Sequence, residues 1–72
     1  MSKTNDTVSQ VRQEILQSLK RITAANSPAI YAKLKTANGY NYIERKVVEK
    51  VVNTGLSIDE AVPHIEQELS DL

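Results

Sequence analysis

The residues with the most obvious chemical capacity stand near the end of the chain. His64 is the only histidine, and Glu60 and Glu68 flank it at helical spacing as Glu-x3-His-x3-Glu. Three groups stacked at i, i+4 and i+8 could brush a divalent cation. A specific metal site, however, draws converging ligands from more than one element. Acid–base catalysis would need a pocket and a partner group, which one outer helix face does not supply. The ridge is therefore read as a solvated acidic face. Ser27 has no base near it in sequence, since His64 is 37 residues away. Its place before Pro28 marks it instead as a helix cap. The two glycines, Gly39 and Gly55, cannot form a phosphate-cradling loop. With no cysteine, thiol catalysis, disulfides and cysteine-ligated metals are excluded. The expectation is a protein that is not an enzyme, with no cofactor and no metal.

A second cluster lies mid-chain. Lys33, Lys35, Tyr40, Tyr42, Arg45 and Lys46 fall within fourteen residues around Gly39. Basic side chains with interleaved tyrosines can hold phosphates and stack bases. The competing reading has Tyr40 covering the core and the lysines in solvent. A net charge of zero also weakens any affinity driven by counterion release.

These residues must be positioned by helices. Val8, Val11, Ile15, Leu19 and Ile22 follow 3-4-4-3 spacing, an apolar stripe at about 100° per residue. Leu16 lies off that stripe. Thr4-Asn5-Asp6-Thr7 offers N-cap oxygens, so a first helix is expected over about 6–25. Ser27-Pro28 opens a short second helix over about 28–37, with Ile30, Tyr31 and Leu34 inward and Asn38-Gly39 as its stop. Ile43, Val47 and Val51 set the face of a third helix over about 41–53. Val48 and Val52 widen that face to nearly half the circumference, more than one neighbour would cover. Gly55 is the next stop. Ser57-Ile58-Asp59-Glu60 is a capping-box sequence, and Ile58, Ala61, Val62, Ile65, Leu69 and Leu72 share a face of a fourth helix over about 57–70. Pro63 should bend that helix slightly. The fold class is all-α: a compact bundle of four helices joined by short turns, with no strands. Residues 1–5 are expected to be a disordered N-terminus and 6–72 one domain.

The balance of charge is uneven along the chain. Residues 1–50 carry all nine Lys and Arg and four acids, a net of +5, whereas residues 51–72 carry five acids and no Lys or Arg, a net of −5. The longest uninterrupted apolar run is four residues, Ala29-Ile30-Tyr31-Ala32, against the ~20 needed to span a bilayer. Without an apolar leader at the N-terminus or any cysteine, a cytoplasmic setting is expected.

The stretch from Val51 through Gly55-Leu56-Ser57 into a helix resembles a helix-turn-helix. It is also similar to the second and third helices of ubiquitin-associated domains. The first resemblance implies DNA binding, yet the would-be recognition helix holds Asp59, Glu60, Glu66 and Glu68 with no Lys or Arg to read a base. The second implies a hydrophobic-glycine loop after the first helix, which is missing. No family is assigned. The favoured expectation is a small helical protein–protein interaction module, an adaptor or regulator that binds a protein partner or itself. Its candidate surface is Leu16, Val48 and Val52. The alternative is a nucleic-acid-binding accessory protein using the patch at residues 33–46.

Overall fold

The structure is a computed structural model that describes residues 3–72, with side chains from Ser9 onward. Four helices follow in order: α1 (Lys3–Lys20), α2 (Pro28–Leu34), α3 (Gly39–Thr54) and α4 (Ile58–Ser70). No strand occurs among the described residues, and none of their helices is long and apolar enough to cross a membrane. The all-α bundle expected from the spacing is the fold observed.

α3 and α4 run against each other as a hairpin, α2 lies against both, and α1 packs chiefly on α4. Ile15 and Leu19 of α1, Ile30 of α2, Ile43 and Val47 of α3, and Ala61 and Ile65 of α4 form the buried core. Every helix thus contributes at least one side chain. Val11, Ile22, Leu34, Tyr40, Val51, Ile58, Val62 and Leu69 pack around its rim. The core is aliphatic and small, as expected for a chain without Phe or Trp.

The helix boundaries differ from expectation at three places. Met1, Ser2 and the side chain of Val8 lie outside the described residues. α1 already runs from Lys3, so the polar residues Thr4 to Thr7 fall inside its first turns. It stops at Lys20, five residues before Ala25. Asn26 accounts for the early stop. Its amide Nδ2 donates to the Arg21 carbonyl at 2.9 Å, and its Oδ1 accepts the Thr23 N–H at 2.9 Å. Thr23 Oγ1 in turn accepts the Asn26 N–H at 3.1 Å. Side chains that satisfy nearby backbone groups compete with helix continuation.

α2 ends at Leu34 rather than Ala37. The Thr36 N–H bonds to the Lys33 carbonyl at 3.0 Å and the Gly39 N–H to the Thr36 carbonyl at 3.1 Å, a tight i→i+3 path into α3. Gly39 is therefore not a left-handed stop for α2. It is the first residue of α3 and is buried. A Cβ there would lie 1.6 Å from the Lys33 carbonyl oxygen, so close approach, not backbone hand, demands glycine.

The third junction behaves as expected. Gly55 caps α3 at φ +73°, its N–H bonded to the Val51 carbonyl at 3.2 Å. Ser57 and Glu60 form a full capping box. The Glu60 N–H donates to Ser57 Oγ at 3.2 Å and the Ser57 N–H to Glu60 Oε1 at 3.1 Å. Pro63 sits within α4, which continues past it to Ser70.

Candidate interaction surface

The acidic residues of α4 are largely committed to holding the fold. Glu60 closes the capping box, and those hydrogen bonds to Ser57 hold its carboxyl below the usual range. Glu68 is ion-paired with Lys50 of α3, whose hydrogen bond lowers its carboxyl likewise. Glu66 performs a task its sequence position does not announce. Its two oxygens accept the N–H groups of Ala29 and Ile30, each at 2.9 Å. It therefore caps α2 from another helix, while Ser27, the expected cap, is buried and makes no side-chain cap bond. His64 stands exposed between these residues. Among the described residues, no three His, Cys, Asp or Glu side chains gather as a metal site.

The basic and aromatic patch divides into separate groups. Tyr42, about a third exposed, has Lys33 Nζ 4.5 Å from its ring centroid and Lys46 Nζ 5.7 Å from it. Lys35 lies with Tyr31 instead, 4.7 Å from that ring. Tyr40 packs against the core. Burial raises its hydroxyl pKa, helped by the charge of Glu44 and its hydrogen bond, with Arg12 acting in the opposite direction. Arg45 is exposed and makes no ion pair among the described residues. Helical spacing explains the split. Tyr40 and Tyr42 are two positions apart, or about 200° around a helix. Applied to the sequence, the same arithmetic would have separated them.

The apolar residues singled out by their spacing stay exposed, as do Tyr42 and Leu72, the latter lying beyond the end of α4 and out of the face it was expected to share. Leu16 is 37% exposed, Val48 40% and Val52 74%. Val48 and Val52 are one turn apart on α3, turned out of the core that its buried residues Ile43 and Val47 enter. Asn41 and Arg45 continue this outer row toward the N-terminus of α3, so positions 41, 45, 48 and 52 repeat at 4-3-4 spacing. That spacing puts the four residues in one row along the helix, of which Val48 and Val52 are the apolar members. Leu16 follows Arg12 by one turn on α1, and Arg12 lies close enough to Tyr40 to influence its titration.

Two concave surfaces accompany these features. An open groove of about 620 Å³ between α1 and the start of α4 is lined by glutamines of α1 together with Glu14, Arg21, Ser57 and Asp59, whose Oδ1 accepts from the Ser18 hydroxyl at 3.5 Å. A smaller one of about 90 Å³ lies beside Tyr42 and Lys46, floored by Ile65 and Leu69. No protein-family model matches the chain, and no curated protein and no solved structure matches it.

Proposed function

We propose that the protein is a non-enzymatic helical interaction module, an adaptor or regulator, that binds protein through exposed apolar residues, Val48 and Val52 of α3 and Leu16 of α1. The observation that carries this reading is the exposure of Val48 and Val52 on a helix whose inner face is core. Scattered exposed apolar residues are ordinary, but two valines in register on one helix face form a docking row. The non-enzymatic part rests on how the carboxylates are used. Glu60, Glu66 and Glu68 are each engaged in capping or pairing. A cysteine-free chain also suits a reducing, cytoplasmic compartment. The nucleic-acid alternative loses support from Tyr42, whose ring is attended by two lysines of its own chain, and from Tyr40, which packs into the core.

Site-specific photo-crosslinking tests this reading. A photoreactive residue at position 52 in the full chain, expressed in cells, should give protein adducts. The same residue at position 64, on the acidic face, should give far fewer. Equal labelling at both positions, or nucleic-acid adducts at 52, would overturn the proposal.

A further inference from the structure

We propose that the partner on α3 is a second copy of this chain, paired antiparallel about a two-fold axis. The inference rests on the reading of α3 as the docking face and adds the identity of what docks there.

The argument is charge complementarity. Arg45 and Glu49 border Val48 on the exposed side of α3, and neither is in an ion pair among the described residues. They carry opposite charges one helical turn apart. When two such helices run antiparallel with the axis at the level of residue 47, Arg45 of each copy falls opposite Glu49 of the other. The two Val48 side chains then meet beside the axis, and each Val52 falls near Asn41 of the second copy. The face is thus its own complement, as an isologous interface requires. A single helix face is small for an interface, so the pairing belongs with weak, concentration-dependent contacts below about 1,200 Å².

Sedimentation equilibrium on the full chain, up to about 1 mM, tests the proposal, since contacts of this size reach down to that affinity. The expected result is a reversible monomer–dimer equilibrium. Arg45→Glu alone or Glu49→Arg alone should raise the dissociation constant about tenfold, because each reversal turns two weak attractions into two repulsions. The double swap, R45E with E49R, should restore most of the affinity. Both positions are exposed, and circular dichroism would confirm that the variants stay helical. A chain that remains monomeric throughout overturns the proposal. So does a dimer indifferent to the single reversals, or one that the double swap fails to rescue. The crosslinking at position 52 keeps the two ideas apart. Adducts only to a foreign protein would sink self-pairing and leave the interaction module standing, whereas loss of every protein adduct would sink both.

Discussion

Gly39 and Gly55 hold their places for different physical reasons, and the difference sets what each tolerates. Gly55 has φ +73°, and a Cβ at that position would have nothing within 4 Å of it, so a replacement there meets strain but no clash. Gly55→Val should cost about 1–3 kcal/mol, the range for a poorly populated backbone state, while Gly55→Asn should cost less because Asn visits the left-handed region readily. Gly39→Ala places a methyl 1.6 Å from the Lys33 carbonyl oxygen. Because α2 and α3 must separate to admit it, the loss should reach about 3 kcal/mol or more. Urea unfolding of the three variants should therefore rank Gly39→Ala as the most damaging, and the reverse order would refute the close-approach account. Glu60 yields a pH prediction at the same scale. Its folded carboxyl titrates below the unfolded value of 4.5 because Ser57 hydrogen-bonds the charged form. A depressed acid contributes stability above its unfolded pKa and loses it as pH falls through the folded pKa. The melting temperature should thus drop as pH falls below about 4.5, and less steeply in Glu60→Gln, which can still close the capping box. Parallel melting curves for the two proteins across pH 5 to about 2.5 would show that Glu60 contributes nothing.

At the scale of elements, α2 is the helix with the least to hold it. Seven residues cannot sustain a helix alone in water. Ile30 anchors α2 in the core, and Glu66 binds its first free N–H groups from α4. Glu66→Ala strands both donors, at a cost of about 1–3 kcal/mol. Glu66→Gln keeps one acceptor oxygen and should fall between. Amide hydrogen exchange should show the loss first at Ala29 and Ile30, ahead of α3 and α4; uniform acceleration along the chain would argue that Glu66 has no local role. This bond also marks where the sequence stops being legible. The four helices were readable because apolar spacing and caps are local, and the Ser57–Glu60 box and the Gly55 stop were found where expected. The bond from Glu66 to Ala29 spans 37 residues, and nothing local to either residue signals it. The same holds for Gly39, whose need for a bare Cα comes from the carbonyl of Lys33 folding back over it. The end of α1 was misplaced because Ile22 keeps the apolar stripe while Asn26 and Thr23 have already claimed the backbone. The exposed valines were legible for the opposite reason. A face too wide for one neighbour leaves apolar residues over, whichever neighbours the fold supplies.

The whole molecule carries +5 in its first fifty residues and −5 in the remainder, yet the described residues contain one ion pair, Lys50–Glu68. Folding therefore draws little from the charge split. Surface pairs contribute about 0–1 kcal/mol each, and α4 spends Glu60 and Glu66 on backbone donors rather than on Lys or Arg. What remains is a molecule with Arg12, Lys20, Arg21, Lys35 and Arg45 exposed on one part of the chain and Asp59 and Asp71 exposed on the other. Such an arrangement acts on encounter between molecules more than on the stability of one. Its reach is set by salt, from roughly 30 Å at 0.01 M to about 3 Å at 1 M. Raising salt across that range should weaken association measurably, while the melting temperature of the dilute monomer shifts little. Light scattering for the first and thermal melts for the second separate the two halves of the expectation. Association that strengthens with salt would assign the contact to Val48, Val52 and Leu16 alone, because salts that are excluded from protein surfaces favour apolar burial. A melting temperature that falls steeply with salt would instead mean that opposed charges hold the monomer together through contacts longer than ion-pair distance. The expectation is the first pattern, since the monomer has one ion pair among the described residues and the Glu66 bonds that fasten α2 are direct, part-buried contacts at 2.9 Å.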